Sequence, residues 1–197
     1  VSKDNKTLMY SIARGGSDWN EIFFLDIDSK KPLDDHIKWI KFSGLTPYKD
    51  GVIYSRYPEP KKGDELSAAN ENAMVYYHKI GTDQSEDILL YSDPEHPLRS
   101  FGIDISDDDK YAFLYTSEST SGNALAFKKV DDKDYKNISN LEFKNDYYII
   151  DVIDDVFYMI TNENASNYKI VAVDPKNPTS NWKDIIPEKD YKLGGAN

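Results

Sequence analysis

Short runs of aromatic and β-branched residues alternate with polar segments along almost the whole chain. Helical periodicity is almost absent, whereas each run has the length and composition of a strand. The pattern predicts strands at residues 7–12, 21–27, 37–42, 52–57, 74–80, 88–91, 111–116, 124–128, 147–152, 156–161 and 168–173. This density of short strands indicates an all-β fold, and an aromatic content of 13% suits strands better than helices.

An acidic turn that leads into a strand recurs four times. The turn aspartates are Asp4, Asp50, Asp108 and Asp154. Roughly 50 residues separate consecutive ones, a period typical of β-propeller blades with four strands each. We therefore predict a single partial β-propeller over residues 1–197, with blades near 1–40, 41–100, 101–144 and 145–190. The first blade is expected to lack its inner strand, and the chain is expected to be a fragment of a longer protein.

The composition disfavours several classes of partner and chemistry. A net charge of -11 argues against nucleic acid and anionic membrane surfaces, and it is compatible with basic peptides or a basic partner. No apolar run approaches the ~20 residues that a transmembrane helix needs. The absence of cysteine removes disulfides, zinc–thiolate sites and cysteine nucleophiles, and it leaves both the cytoplasm and the periplasm open as compartments.

The segment HKIGTDQSEDILLY at residues 78–91 places a very polar loop between two apolar runs. Such a loop can bind a cation, present Ser85 as a nucleophile or simply turn the chain. The chain has no G-x-S-x-G motif and no triad order in the required strand–turn–helix context, so we expect no catalytic residue in it. The segment DISDDD at 104–109 has Asp109 where an EF-hand loop needs glycine and Tyr115 where it needs glutamate, so a plain acidic turn is expected.

The three histidines have none of the spacings of a metal site. His36, His78 and His96 lie in separate segments, and we expect no metal and no cofactor. His36 and His96 lie in polar, proline-containing stretches and are predicted to be exposed to solvent. With 35 acidic residues, a carboxylate pair of the glycosidase kind stays open as an alternative. The long charged segment at 57–72 is either a disordered surface loop or a mobile gating or binding loop.

Several longer segments together resemble the β-propeller domain of the prolyl oligopeptidase family of serine peptidases. They follow the family's order and cover nearly the whole chain: GSDWNEIFFLDID at 16–28, IKFSGLTPYKDGVIYSRYP at 40–58, YYHKIGTDQSEDILLY at 76–91, ISDDDKYAFLYTSE at 105–118 and TNENASNYKIVAVDPKNP at 161–178. The resemblance implies about four blades of a seven-bladed propeller. In the family this propeller is joined to an α/β-hydrolase domain that cleaves short peptides after proline. The implied partners are that peptidase domain and short proline-containing peptides.

The order of strands within a blade distributes the loops between two faces. The acidic turns and the GTDQSED loop share one face, and in the family the other face meets the peptidase domain. The loops on that second face are 14–18, 58–72, 117–123 and 162–167. The GTDQSED loop is thus expected to be a hairpin turn far from the chemistry, with Gly81 in an unusual turn conformation.

The resemblance also assigns candidate site residues. Asp18 matches an aspartate that faces an arginine of the peptidase domain, and Phe42 matches a phenylalanine that lines the substrate pocket. The alternatives are a turn residue for Asp18 and a core residue for Phe42. Ser117 and Thr120 stand where familiar animal members have a substrate-contacting arginine and a pocket cysteine. A flexible interface loop of the family matches 57–72, and its gating-loop candidates are Tyr57, Lys61, Asp64 and Asn72.

Three functions follow as hypotheses. The first is the non-catalytic propeller part of a prolyl oligopeptidase-type serine endopeptidase, which gates substrate access and docks on the peptidase domain. The alternatives are a free-standing propeller used as a binding scaffold and a carboxylate-based glycosidase propeller. Studied by itself, the chain is expected to self-associate through open blade flanks.

Overall fold

The computed structural model describes residues 1–15, 17–64 and 69–194. These residues form fifteen β-strands in four antiparallel sheets and one short 3-10 helix, Gln84–Glu86. The all-β prediction is therefore confirmed. The chain divides into two compact units, Val1–Ile103 and Asp104–Asn197. In the part of the chain that the structure describes, no helix is long and apolar enough to cross a bilayer.

The first unit contains two sheets whose strands follow each other in chain order. Sheet 1 consists of β1 (Thr7–Ala13), β2 (Asn20–Asp26) and β3 (Lys31–Ile40). Sheet 2 consists of β4 (Leu45–Tyr48), β5 (Gly51–Arg56), β6 (Met74–Lys79) and β7 (Ile88–Ser92). Inward-facing residues of both sheets form one apolar core, which contains Met9, Ile22, Phe24, Ile37, Ile40, Val52 and Tyr54.

Two further sheets repeat the four-stranded arrangement. Sheet 3 consists of β8 (Ser100–Ile105), β9 (Tyr111–Ser117), β10 (Ala124–Lys129) and β11 (Lys136–Asn137). Sheet 4 consists of β12 (Tyr147–Ile153), β13 (Val156–Thr161), β14 (Lys169–Val173) and β15 (Lys183–Ile186). In the core of the second unit, the Phe157 ring meets the rings of Tyr111, Phe113 and Phe127 at 4.9, 5.0 and 4.9 Å, with the planes steeply inclined. Such edge-to-face contacts are the favoured geometry of aromatic pairs.

The acidic turns have a repeated hydrogen-bond pattern. Ser106 Oγ donates to Asp108 Oδ1 at 2.7 Å, and the same carboxylate oxygen accepts from the backbone N–H of Lys110 at 3.1 Å. The turn at Asp4 has the same two contacts, from Ser2 Oγ at 2.6 Å and from the N–H of Lys6 at 3.1 Å. These aspartates thus hold the turn that leads into the following strand.

The sequence pattern predicted the positions of most strands correctly, but it predicted the residues at which they begin and end less well. The strand expected at 37–42 is β3, which begins at Lys31 and ends at Ile40. Four strands were not predicted, namely β4, β8, β11 and β15. His36, which was predicted to be exposed to solvent, is half-buried in β3: its side chain is 32% exposed, stacks on Phe23 at 4.5 Å and bonds to Glu21 Oε2 at 2.5 Å.

Candidate functional site

The GTDQSED loop at residues 81–87 joins β6 to β7. Gly81 has a φ of +89°, as the turn was expected to require. Asp83 and Glu86 form a capping box around the 3-10 helix, and Ser85 is exposed. The side-chain amide of Gln84 binds the neighbouring sheet: its Nε2 donates to Lys38 O at 3.1 Å, and its Oε1 accepts from Lys38 N at 3.0 Å. The loop therefore connects sheet 2 to the outer strand of sheet 1.

A buried cluster of polar side chains lies beneath this loop. His78 has no solvent exposure, and its two ring nitrogens lie 2.7 Å from Asp87 Oδ1 and 3.1 Å from Asp35 Oδ1. Tyr54 donates its hydroxyl to Asp87 Oδ2 at 2.5 Å. Burial by itself lowers the pKa of His78, but the hydrogen bonds and charges of Asp87 and Asp35 outweigh burial and raise it. The cluster thus places an imidazolium between two carboxylates and links the two sheets.

Sequence reasoning missed this cluster. Asp35 precedes His78 by 43 residues, and it belongs to a different sheet. Nothing in the local pattern joins the two residues, because the contact is created where sheet 1 packs against sheet 2. Within the described residues, no group of three or more metal-ligating side chains could hold a metal ion.

At the strand ends opposite to the GTDQSED loop, the first unit brings Asp18, Phe42 and the loop between β5 and β6 close together. Asn20 pairs with Ile40, so the residues just before β2 lie beside those just after β3. Tyr57, which follows β5, donates its backbone N–H to Trp39 O at 3.1 Å. Asp18 is exposed, and within the described chain no hydrogen bond or ion pair involves its carboxylate. Its backbone oxygen accepts from Asn20 Nδ2 at 3.1 Å.

Three aromatic rings form a cluster at these strand ends. Trp19 meets Trp39 edge-on at 5.6 Å and Tyr57 at 6.4 Å. Lys41 places its ammonium 4.0 Å from the centroid of the Trp19 ring. Rings and a cation in this arrangement attract each other, most strongly where water is excluded. The cluster forms a rigid base beneath the neighbouring exposed residues.

Phe42 projects from this base. It is 80% exposed, so the alternative that it is an ordinary core residue is wrong. Its φ is +54°, a conformation that non-glycine residues rarely adopt. Ser43, the next residue, accepts a hydrogen bond on its Oγ from the N–H of Ser55 at 2.8 Å. Strained backbone held by its surroundings clusters at functional sites, and this conformation makes the exposed Phe42 a candidate contact residue.

The loop that joins β5 to β6 carries the gating-loop candidates. Asp64 N–H bonds to Lys61 O at 2.9 Å in a turn, and Asn72, with a φ of +59°, donates its N–H to Pro97 O at 2.7 Å. Tyr57 is buried and lies at the start of the loop. Residues 65–68 of the predicted loop lie outside the described residues.

Ser117 and Thr120 belong to the second unit. Ser117 is the last residue of β9 and is half-buried, while Thr120 is exposed in the loop to β10. The end of that loop is fixed by Asn123, whose side-chain amide donates to Tyr147 O at 2.9 Å and accepts from Tyr147 N at 2.8 Å. Gly122 has a φ of +74°, and a Cβ there would lie 2.0 Å from a backbone oxygen. The end of the loop is therefore fixed at Gly122 and Asn123, which follow Thr120 closely in the chain.

Comparison with known proteins agrees with this architecture. The family model for the prolyl oligopeptidase N-terminal β-propeller domain matches residues 1–195. A prolyl endopeptidase of Elizabethkingia meningoseptica is 37% identical over 195 residues, which are 98% of this chain and 28% of that protein. The dual function macrocyclase-peptidase POPB of Galerina marginata is 35% identical over 217 residues, covering 100% of this chain and 30% of that protein.

A solved structure gives the same result at the level of the fold. Prolyl oligopeptidase B from Galerina marginata, bound to a 35mer hydrolysis and macrocyclization substrate, superposes with a TM-score of 0.88 at 33% identity. The match covers 100% of this chain and 30% of that one, so the chain spans less than a third of the length of these relatives. The chain belongs to the prolyl oligopeptidase family, and its four antiparallel sheets are part of that family's N-terminal β-propeller domain.

Proposed function

We propose that this chain is the non-catalytic propeller part of a longer prolyl oligopeptidase-type serine endopeptidase that cleaves short peptides after proline. In that protein the propeller docks on an α/β-hydrolase domain and gates the access of substrate. Serine acyl transfer takes place on the hydrolase domain, which supplies the nucleophile and its base. The family match over residues 1–195 favours this function over a free-standing scaffold or a glycosidase.

The observation that carries the proposal is the exposed Phe42 on its anchored backbone. It lies beside the connection that contains Asp18 and near the first residues of the loop between β5 and β6. An apolar side chain at this position can complete a pocket for the proline ring of a peptide. Asp18, whose carboxylate has no partner among the described residues, is available for a cation of the peptidase domain.

A chromogenic Gly-Pro peptide substrate tests the catalytic part of this proposal. The purified chain is expected to hydrolyse nothing, since the proposed nucleophile and base lie on the peptidase domain. Turnover that persists after repurification, and that disappears on alanine substitution of a serine in this chain, would contradict the proposal.

Substitution in the parent protein tests the role of Phe42. Phe42→Ala is expected to raise KM for the Gly-Pro substrate by roughly tenfold with little change in kcat, because the loss affects binding in the ground state and the transition state alike. Leu98→Ala is the matched control, since Leu98 is a second strongly exposed apolar residue of the first unit. Equal KM values for the two variants would overturn the assignment of Phe42 to the pocket.

A further inference from the structure

Lys41 precedes Phe42 in the chain and points the other way. Lys41 is buried, whereas Phe42 is exposed. Besides its contact with the Trp19 ring, the Lys41 ammonium donates a hydrogen bond to Asn70 Oδ1 at 2.9 Å. Among the described residues, no carboxylate pairs with it. The ammonium of this buried side chain thus contacts one aromatic face and one amide oxygen among the described residues.

This arrangement fixes the ammonium in one place. The Trp19 ring is itself held by its edge-on contacts with Trp39 and Tyr57. A cation over an aromatic face gains more where water is excluded, and a buried ammonium without its contacts is costly. Losing the contact with either Trp19 or Asn70 therefore raises the free energy of the folded state.

The backbone around Lys41 is strained and needs such an anchor. Trp39 and Phe42, on either side, have φ values of +65° and +54°. Non-glycine residues in this region persist only where the surroundings hold them. Two backbone N–H groups in and just after β5 bind the segment near its ends, Tyr57 N–H to Trp39 O and Ser55 N–H to Ser43 Oγ. Between these two anchors the side chains of Ile40 and Lys41 are both buried, and Lys41 is the one adjacent to Phe42.

We infer that Lys41 is a positioning residue for Phe42: by binding Trp19 and Asn70 it holds the segment 39–43 in the conformation that presents the Phe42 ring. The inference rests on the proposed function of Phe42 as a pocket residue. The hydrogen bond from Lys41 to Asn70 also connects the segment that carries Phe42 to the loop between β5 and β6.

Amide hydrogen exchange on the isolated chain tests the structural half of the inference. Lys41→Met keeps the length and apolar stem of the side chain and removes the charge. It is expected to speed exchange at Ser55 and Tyr57 by about tenfold or more, since both amides bind the anchored segment. Lys49→Met is the matched control, because the Lys49 ammonium also lies over a ring, at 4.9 Å from Tyr48, but on an exposed residue. It is expected to leave both amides unchanged.

Two substitutions of Asn70 provide a second measurement that does not remove the lysine. Asn70→Ala is expected to speed the same exchange by a smaller factor, because the contact with Trp19 is kept. Asn70→Asp is expected to slow it or leave it unchanged, because a carboxylate is a stronger acceptor for an ammonium. Circular dichroism confirms that each variant is folded.

Kinetics of the parent protein test the positioning role. Lys41→Met is expected to raise KM for the Gly-Pro substrate in the same way as Phe42→Ala, with kcat within about twofold. In a Phe42→Ala background it is expected to add no further rise, since it acts through Phe42.

The outcomes separate this inference from the proposed function. Unchanged exchange at Ser55 and Tyr57 in Lys41→Met overturns the inference, whatever the kinetics. Additive effects of Lys41→Met and Phe42→Ala on KM also overturn it, because they show an independent role. Faster exchange together with a Phe42→Ala variant of unchanged KM contradicts the proposed function of Phe42 while showing that Lys41 holds the segment.

Discussion

Replacing His78 by glutamine removes the cation of the buried cluster between sheets 1 and 2. The variant keeps the approximate volume of the side chain and one donor. It leaves the carboxylates of Asp35 and Asp87, whose side chains are only 4% and 1% exposed, without a positive partner. Breaking a buried ion pair by removing one member costs about 3–5 kcal/mol, because the remaining charge stays desolvated. We expect a loss of this size in the free energy of unfolding of the first unit.

A surface histidine provides the matched control. His96 Nδ1 lies 2.9 Å from Asp93 Oδ2, but its side chain is 47% exposed. His96→Gln is therefore expected to cost no more than about 1 kcal/mol, as for other solvent-exposed pairs. Urea unfolding followed by tryptophan fluorescence measures both variants. A Trp182→Phe background leaves Trp19 and Trp39 as reporters, and both lie in the first unit.

The pH dependence of the free energy of unfolding, compared between the wild type and His78→Gln, gives a second test. The pKa of His78 is raised above its ordinary value of 6.5, so the folded state holds the proton more tightly than the unfolded state. The stabilisation is then fully present below about pH 6.5 and is lost as the pH rises through the folded-state pKa. The stability difference between the wild type and His78→Gln should accordingly shrink toward alkaline pH.

Two results would refute this reasoning. One is a His78→Gln chain that is as stable as His96→Gln at about pH 6, which would mean that the two carboxylates find other partners or water. The other is a stability difference that grows with pH, which would mean that the neutral imidazole is the form that stabilises the fold.

Three further predictions concern other parts of the chain. Gly122→Ala should lower the free energy of unfolding by at least ~1 kcal/mol, because the added Cβ would clash with backbone at a positive φ. Gly44→Ala, where a Cβ meets open space, should have little effect, and chemical denaturation compares the two variants. Asn123→Ala should cost about 2–3 kcal/mol in the same assay, because it leaves the buried backbone N–H and C=O of Tyr147 unpaired. The isolated chain should self-associate through the edge of β1 and exposed apolar flanks; light scattering across a dilution series measures this, and a stable monomer at high concentration would contradict it.

The sequence predicted the fold class because strand periodicity and turn chemistry are local properties. The alternation in β1 and β2, the glycine at 81 and the aspartates of the turns can all be recognised without tertiary information. The four unpredicted strands are of a different kind. β4 contains a proline, β8 contains a glycine, β11 has two residues and β15 is fully exposed. They are strands because a neighbour supplies hydrogen bonds, and sequence pattern alone does not record that pairing.

The residues of the candidate site were likewise predicted only in part from the sequence. The sequence by itself determined the all-β fold, the repeat, the family and the positions of Asp18 and Phe42 as candidates. Only the tertiary structure decided that Phe42 is exposed, that Lys41 binds Trp19 and Asn70, and that His78 lies between Asp35 and Asp87. These partners are separated by 22, 29 and 43 residues along the chain or lie on different sheets. Periodicity reports which face of a strand is buried, whereas the residues that meet across two sheets are set by how the sheets pack.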